Sequence, residues 1–345
     1  MMNLDQLIGK IKKEHGDIAI RYGHEIPDNP RIPTGSIALD YLFGGGLPQG
    51  KIVEFQGPKS AGKSLIAMRV VDQQLKKYKR PAMWVDVERC WNKEWAKKQI
   101  GNYKQVQVVQ LPTAEHVVEM VKDALYCDDP PGIIVVDSIA AMSSLVEQDR
   151  SALDPQKIGL SAQLISLAMR LWTHPADLSK CTIIMINQLR DDIGGWTPYG
   201  KRDKAPGGRA REFFASLMVE VRSGEWIKHK NEVVGHHVNV RILKSKVWGA
   251  KNFSQASLLF YYHCRLGDEN PTLCESCDRY CPNKQGYFDD ITEAIDVGIQ
   301  LGVIQRAGPY YSFEDLKVQG REKLKEAMDD KMIARVRKAC LKLIK

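Results

Sequence analysis

A run of eight residues near position 60 has the spacing of a phosphate-binding loop. The run consists of Gly57, Pro58, Lys59, Ser60, Ala61, Gly62, Lys63 and Ser64, which fits the pattern G-x-x-x-x-G-K-[ST]. In such a loop the glycines let backbone amides wrap around phosphate oxygens, and the N-terminus of the next helix adds positive potential. We expect Lys63 to reach the β- and γ-phosphates of ATP, and the Ser64 hydroxyl to be a ligand of Mg²⁺.

Polar side chains close the apolar runs that predict buried strands. Asp137 ends the run 133–137, where it completes the Mg²⁺ site or, alternatively, caps a helix. Glu88 follows the run 82–87, and a carboxylate there can orient and deprotonate an attacking water, although Asp86 is a rival for that role. Gln188 ends the run TIIMINQ and either senses the γ-phosphate or caps a turn. These candidates predict hydrolysis of the bound nucleotide.

Strands and helices that alternate along the chain must position these residues. Between residues 51 and 262, continuous apolar runs are separated by helical stretches, which is typical of a mostly parallel sheet with helices on both faces. The runs ASLMVEVRS, HHVNVRILKSK and SQASLLFYY have short connections, so we expect them to extend the sheet with antiparallel strands. The pattern predicts an α/β protein.

Flanking segments complete the predicted organisation. Leu4, Leu7 and Ile8 share an apolar stripe that predicts a helix over 3–16, and a candidate edge strand follows at 18–22. The end of the chain reads as mostly helical. The predicted segments are 1–34 for an N-terminal helix and linker, 35–262 for the ATPase core, 263–286 for a cysteine-rich insert, and 287–345 for a small α-rich domain.

Composition excludes several classes of protein. The chain has 345 residues, of which 43% are hydrophobic and 27% charged, as in a soluble globular protein. No apolar run approaches the roughly 18 residues of a membrane span, and the N-terminus lacks a signal-peptide pattern. We therefore expect no membrane association and a location in the cytoplasm or an equivalent reducing compartment. The net charge of +8 is compatible with nucleic acid but also with an ordinary basic surface.

Four cysteines lie close together in the predicted insert. They are Cys264, Cys274, Cys277 and Cys281, with the spacing C-x₉-C-x₂-C-x₃-C. Four thiolates at such spacing suit a tetrahedral structural zinc site, whose metal would supply the folding energy that a short polar insert lacks. An iron–sulfur cluster or unligated thiols are the alternatives.

Ordered stretches along the chain resemble the bacterial RecA family. They are residues 34–64, 85–101, 133–142, 159–172, 184–194, 207–222, 233–253 and 296–313, and only about 263–286 has no counterpart. The resemblance implies an α/β fold with a RecA-like P-loop ATPase core. It further implies a twisted, mostly parallel sheet with helices on both faces, an N-terminal helix–strand arm and a small α-rich C-terminal domain.

The same resemblance implies roles around ATP. Glu88 would be the general base that activates water, and Gln188 would sense the γ-phosphate and couple ATP to a DNA-binding loop. Trp95 lies where the family has an aromatic ring stacked on adenine, and Asn92 lies where it has an acid near the base. Both substitutions keep the contacts with adenine, since stacking needs only a flat ring and the Asn92 amide can still form a hydrogen bond with the base.

Two lysines and the N-terminal arm point to a filament. Lys244 and Lys246 resemble a family pair that reaches the ATP of the neighbouring subunit and acts in trans, as an arginine finger does. The helix over 3–16 and the strand at 18–22 would dock on the next subunit. ATP would then lie between subunits of a homo-oligomeric helical filament.

Two segments match the DNA loops of the family, at 147–157 and 190–208, and both look irregular. Basic residues interleaved with aromatics in the second loop suit single strands, because cations bind phosphates and rings stack on bases. The candidate DNA contacts are Arg190, Trp196, Tyr199, Lys201, Arg202, Lys204 and Arg209, with Gly207 and Gly208 as a hinge and Arg211 as a further phosphate contact. The alternative is a loop that is merely solvated.

These inferences predict a DNA-dependent ATPase that forms filaments on single-stranded DNA, pairs them with duplex DNA and meets loader or mediator proteins. The alternatives are a translocase or helicase with the same core fold, an accessory regulatory ATPase without strand exchange, and a scaffold without hydrolysis. The basic C-terminus departs from the acidic tail common in the family, which puts the regulation of duplex access in doubt.

Overall fold

The computed structural model describes residues 2–16, 20, 22–26, 28, 30–148, 160–197, 200–229, 232–251, 254–262 and 287–344. For residues 148, 190–197, 200–204, 229, 232 and 287, only the backbone is described. The chain divides into two compact units, Met1–Pro30 and Arg31–Lys345.

One α-helix lies in the described part of the first unit, and helices and strands alternate through the second. The helices are α1 (Leu4–His15), α2 (Ile37–Phe43), α3 (Lys63–Tyr78), α4 (Lys93–Gln99), α5 (Ala114–Tyr126), α6 (Leu145–Gln148), α7 (Leu160–Ser179), α8 (Ala210–Phe214), α9 (Asp290–Gln300), α10 (Arg321–Ala327) and α11 (Asp330–Ile344). The strands are β1 (Arg31–Ile32), β2 (Leu47–Pro48), β3 (Ile52–Gly57), β4 (Ala82–Asp86), β5 (Val106–Val109), β6 (Ile133–Asp137), β7 (Thr182–Gln188), β8 (Arg190–Thr197), β9 (Gly200–Lys204), β10 (Leu217–His229), β11 (Glu232–Ser245), β12 (Gln255–Tyr261), β13 (Tyr287–Phe288), β14 (Gln305–Ala307), β15 (Tyr310–Phe313) and β16 (Leu316–Gln319). Within the described ranges, none of the helices is long and apolar enough to cross a membrane.

The predicted N-terminal helix is present as α1. A capping box begins it, because the Asn3 side chain accepts from the Gln6 amide at 2.8 Å while the Gln6 side chain accepts from the Asn3 amide at 3.0 Å. Leu4 is 69% exposed and Leu7 is 44% exposed, so the apolar stripe of α1 is uncovered within this unit. Of the candidate edge strand at 18–22, only residues 20 and 22 lie within the described chain.

One nine-stranded sheet forms the centre of the second unit, in the order β13-β12-β11-β10-β3-β7-β6-β4-β5. The strands from β10 to β5 are parallel, and β11, β12 and β13 are antiparallel. The predicted mostly parallel α/β fold is confirmed, and the expected antiparallel pairing holds for β11 and β12. It is wrong where β10 joins the sheet, because β10 pairs parallel with β3 and antiparallel only with β11. A crossover through β8, β9 and α8 joins β7 to β10, and it is long enough to return the chain for a parallel strand.

Alternation along the central strands builds a core on each face of the sheet. In β6, Ile133 and Val135 face the cluster that includes α3, whereas Ile134 and Val136 face the cluster that includes α5 and α7. Because successive side chains of a strand point to opposite faces, a strand with both sets apolar must be covered on both sides. Trp172 of α7 anchors the second cluster, and its indole donates to the carbonyl of Val118 at 3.1 Å.

The C-terminal segment contains a sheet as well as helices. α9, α10 and α11 pack in one apolar cluster with β15 and β16, and β14 completes a three-stranded antiparallel sheet with these two strands. The prediction of a mostly helical segment is therefore wrong in this part. Residues with positive φ at Gly308 and Glu314 make the turns, and the alternating burial of Tyr311 and Phe313 supplies the apolar face of the sheet.

Candidate active site

The phosphate loop joins β3 to α3 at the carboxyl end of the sheet. A Cβ atom at Gly57 would lie 1.9 Å from the carbonyl oxygen of Val221, so only glycine lets β3 and β10 approach this closely. Gly62 has φ 96, in the left-handed region that side chains disfavour. The loop therefore needs its glycines for backbone geometry as well as for phosphates.

Lys63, the first residue of α3, is folded back over the loop. Its Nζ donates to the carbonyls of Gly57 at 2.9 Å and Pro58 at 2.6 Å. Burial lowers the pKa of Lys63 to about 8, against the opposing charges of Asp137 and Glu88. An anionic phosphate beside the ammonium would favour the charged form, so the site suits a polyphosphate.

Ser64 and Asp137 come together as the spacing predicts. The Ser64 hydroxyl donates to Oδ2 of Asp137 at 2.8 Å across the gap between α3 and β6. Burial raises the pKa of Asp137 to about 6, and the nearby charges of Glu88 and Asp86 act in the same direction. A hydroxyl and a carboxylate in an electronegative site are oxygen ligands of the kind that Mg²⁺ prefers, so these residues fit the metal.

The structure separates the rival carboxylates at the end of β4. Asp86 is buried and accepts from the amides of Cys90 and Trp91, at 2.9 and 3.0 Å, and from the side chain of Gln110 at 2.7 Å. These bonds fold the turn after β4. Asp86 therefore has its acceptors engaged in holding the backbone, which leaves Glu88 as the candidate base.

Glu88 is half-buried and faces the end of β7. Its Oε1 accepts hydrogen bonds from the hydroxyl of Ser138 and from the side-chain amide of Gln188. The latter bond joins residues from the carboxyl ends of two strands, and β8 begins two residues after Gln188. The two candidates for water activation and phosphate sensing are thus in direct contact.

These residues line one cavity of about 530 Å³. Asn92 and Trp95 line it together, and Oδ1 of Asn92 caps α4 by accepting from the Trp95 amide at 2.9 Å. Sequence reasoning missed further aromatic residues on its wall, namely Trp84, Trp91, His236, Phe260 and Tyr262. The last three come from β11 and the end of β12, and no local motif marks a residue that reaches the site from a distant strand.

Lys244 and Lys246 lie apart from this cavity. Lys244 donates to the carbonyl of Ala215 at 3.2 Å, and Lys246 donates to the carbonyl of Phe213. Burial lowers the pKa of Lys244, and the positive charge of Lys246 adds to the effect. Neither lysine lines the cavity that holds Lys63 in the described chain. Any contact between these two lysines and ATP would therefore have to be with ATP bound to another copy of the chain.

The backbone of the second predicted DNA loop is a hairpin. β8 and β9 pair antiparallel, from Arg190 with Lys204 to Thr197 with Gly200, so the prediction of an irregular segment is wrong for this part. At its end, Gly207 and Gly208 have φ 100 and 69, in the region that favours glycine, and Arg209 is exposed. Outside the described residues or side chains lie Arg190, Trp196, Tyr199, Lys201, Arg202 and Lys204, and also residues 149–157 of the first loop.

Arg211 is not a phosphate contact. It is 5% exposed and forms an ion pair with Glu54, which is fully buried in β3. The prediction failed because the helix that contains Arg211 turns this side chain toward the sheet, and a sequence cannot show which way a short helix faces.

The cysteine insert lies outside the structure's described part, including Cys264, Cys274, Cys277 and Cys281. Among the residues that are described, no group of three or more side chains could hold a metal ion as a histidine, cysteine and carboxylate cluster. The described residues therefore do not test the prediction of a zinc site.

Two family models match the chain, and they cover different segments of it. Residues 2–265 match the RecA N-terminal domain and residues 292–336 match the RecA C-terminal domain. Protein RecA of Thermus thermophilus is 34% identical over 333 residues, which cover 95% of this chain and 89% of that protein. Protein RecA of Oceanobacillus iheyensis is 32% identical, covering 95% and 87%, and that of Chloroherpeton thalassium is 33% identical, covering 98% and 89%. The chain belongs to the RecA family.

Proposed function

We propose that this chain is an ATP-dependent recombinase, which polymerises on single-stranded DNA and pairs that strand with a matching duplex. Membership of the RecA family over most of the chain supports DNA-dependent ATP hydrolysis and recombination. The observation that carries the proposal is the hydrogen bond between Gln188 and Glu88, because it joins the hydrolytic centre to the strand that leads into the second loop.

Hydrolysis is assigned to groups at the carboxyl end of the sheet. Lys63 exchanges the carbonyls of Gly57 and Pro58 for phosphate oxygens of ATP. Ser64 and Asp137 hold Mg²⁺, which supplies positive charge to the phosphates when it is bound. Glu88 orients the attacking water and accepts its proton, and the products are ADP and phosphate.

Gln188 couples this chemistry to DNA. Its side-chain amide donates to Glu88 in the structure, and a γ-phosphate offers a competing acceptor within the same cavity. ATP would draw the amide away from Glu88 and shift the start of β8. The second loop would then bind DNA tightly with ATP and release it after hydrolysis.

Recognition of the base and of the neighbouring subunit involves other residues. Trp95 stacks on adenine and Asn92 lies beside its edge, as their positions on the cavity wall allow. Lys244 and Lys246 act in trans on the ATP of the next subunit, which ties hydrolysis to the filament. The uncovered stripe of α1 on Leu4 and Leu7 is assigned to subunit docking.

DNA contacts are assigned to the second loop, with the first loop at 147–157 in support. The residues are Arg190, Trp196, Tyr199, Lys201, Arg202, Lys204 and Arg209, with Gly207 and Gly208 as the hinge. Cations bind the phosphates and rings stack on bases, so binding should weaken steeply with salt. The setting is the cytoplasm of a bacterium or of a phage-infected host, where loader and mediator proteins are further candidate partners.

Cys264, Cys274, Cys277 and Cys281 are proposed to hold structural zinc. Elemental analysis of the purified chain should give about one zinc per chain, since four thiolates complete a tetrahedral structural site. Replacing Cys274 and Cys277 by serine should remove the metal, whereas Cys127→Ser, at an exposed thiol elsewhere, should not. Stoichiometric iron, or no metal at all, would refute the assignment.

The decisive experiment is ATP hydrolysis with and without single-stranded DNA, beside electron microscopy of the same mixtures. We expect strong stimulation and helical filaments on the DNA, and Lys63→Ala should lose turnover while remaining folded. Turnover that is independent of DNA, or closed rings in place of filaments, would favour a translocase or a regulatory ATPase instead.

A further inference from the structure

A buried ionic network joins β3, β7 and α8 beside the phosphate loop. Glu54 on β3 has a fully buried side chain, and it pairs with Arg211 of α8, whose side chain is 7% exposed. Asn187 of β7 donates to the same oxygen of Glu54 at 2.8 Å. The network therefore connects the strand that enters the phosphate loop with the strand that ends in Gln188.

The same side chains hold the root of the β8–β9 hairpin. Arg211 donates to the carbonyl of Ala205 at 3.3 Å, and Asn187 donates to the carbonyl of Pro206 at 3.0 Å. At Gly207 a Cβ atom would lie 2.8 Å from Cδ of Arg211, so the chain passes directly over the guanidinium stem. The residues that end the hairpin are thus bonded to a charge pair inside the sheet.

Unused bonding capacity in this pair points to a second arrangement. Oε2 of Glu54 and Nε of Arg211 are both buried and form no hydrogen bond within the described part of the chain. One is an acceptor and the other a donor, and a guanidinium binds a carboxylate best through two parallel bonds. A rotation of the guanidinium that turns Nε and Nη2 toward the carboxylate would pair them, in place of the bond from Nη1 and at the expense of the bond from Nη2 to Ala205. Burial raises the pKa of Glu54, and the charge of Arg211 opposes this effect. Separating the two groups would leave a buried charge without its partner, so both arrangements keep the ion pair.

We infer that Arg211 and Glu54 are positioning residues, which transmit the nucleotide state from the phosphate-loop strand to the root of the DNA-binding hairpin. This inference rests on the proposed function and adds a second connection to that through Gln188. Nucleotide binding shifts β3 and β7 relative to α8, the guanidinium exchanges Ala205 for the free oxygen of Glu54, and the hairpin root changes position.

The test replaces both charges, because removing one alone would leave an unpaired buried charge. The double variant Glu54→Gln/Arg211→Met is compared with the wild type for ATP binding, ATPase activity and hydrogen exchange of residues 189–210 with and without a slowly hydrolysed ATP analogue. We expect nucleotide affinity within about twofold of the wild type, but a loss of about tenfold in DNA stimulation, in the range of allosteric coupling. Nucleotide-dependent exchange in the hairpin should disappear.

A matched control removes an ion pair that does not contact the hairpin. Arg69 of α3 pairs with Asp290 of α9 at 2.8 Å, and the Arg69 side chain is 14% exposed. Arg69→Met/Asp290→Asn should lower stability yet keep DNA stimulation and the exchange response. Arg211→Lys gives a second measurement should the double variant not fold. It keeps the charge beside Glu54 but not the planar fork, so we expect stable protein with weakened stimulation.

The outcomes separate this inference from the proposed function. A wild type that DNA does not stimulate overturns both. A stimulated wild type with an equally stimulated double variant, or with equally stimulated Arg211→Lys if only that variant folds, overturns the network alone. Equal loss of stimulation in the Arg69–Asp290 control would also overturn it, since the effect would then follow general stability.

Discussion

Glu88 and Asp86 lie two residues apart, yet the structure predicts opposite consequences when each carboxylate becomes an amide. Glu88→Gln keeps an oxygen that can accept from Ser138 and Gln188, so the local geometry should survive. The amide cannot take a proton from water. Because a positioned general base contributes about 10²- to 10⁴-fold, we expect turnover to fall by that factor while ATP binding and stability stay near those of the wild type.

Asp86→Asn should instead act on stability. Both oxygens of Asp86 accept hydrogen bonds from N–H groups, one from Cys90 and the other from Trp91 and Gln110. An amide group presents N–H₂ to at least one of these donors whichever way it is turned. A buried donor that loses its partner costs about 1–3 kcal/mol, which is the expected fall in the free energy of unfolding.

The assay pairs steady-state ATPase rates on single-stranded DNA with urea unfolding, for both variants under one buffer condition. Binding of a fluorescent ATP analogue to each variant separates a loss of chemistry from a loss of affinity. Loss of turnover in Asp86→Asn at wild-type stability, with turnover retained in Glu88→Gln, would refute this assignment, because Asp86 would then be the base.

Three further substitutions test other parts of the site. Gly57→Ala places a Cβ atom 1.9 Å from the carbonyl oxygen of Val221, so the free energy of unfolding in urea should fall by at least about 1–3 kcal/mol. Gly9→Ala, which has nothing within 4 Å of the added atom, should be neutral or stabilising. Similar free energies of unfolding for the two variants would contradict the close packing of β3 against β10. Trp95→Ala should weaken the affinity for ATP by about tenfold in a binding titration, as expected for a lost stacking contact, and Trp95→Phe should retain most of it; an unchanged affinity in the alanine variant would exclude stacking. Lys246→Ala should lower DNA-stimulated turnover much more than nucleotide binding by the free chain, and equal losses in both assays would exclude a role in trans.

The phosphate loop and the strand-end candidates could be located from sequence because short-range rules govern them. Parallel strands present their carboxyl ends at one edge of the sheet. The sequence therefore predicted that the residues at or just after these ends would lie near Lys63, and all three line the same cavity: Asp137, Glu88 and Gln188. The contact between Gln188 and Glu88 needed the sheet order, since β4 and β7 are separated by β6. Their chemical roles remain predictions.

The predictions were wrong where the direction of a strand, the orientation of a short helix or contacts between residues distant in sequence decided the structure. The apolar run of β10 fits either strand direction, and only its place beside β3 made it parallel. Arg211 lies in a predicted helical start after the second loop, and only the orientation of α8 showed that its side chain is buried against Glu54. The segment 287–345 was predicted to be mostly helical, and β15 and β16 became recognisable as strands only because their alternating side chains pack in the same core as α9 and α11.

The sequence by itself determined the α/β pattern and the phosphate loop, because these depend on spacing along the chain and on the period of apolar residues. The family followed from the resemblance of ordered stretches of the chain to RecA proteins. Tertiary structure alone decided which carboxylate stays available, which aromatic rings from β11 and β12 line the cavity, and which arginine lies buried under the hairpin root. Those properties depend on burial and on partners distant in sequence, and both exist only after the sheet has assembled.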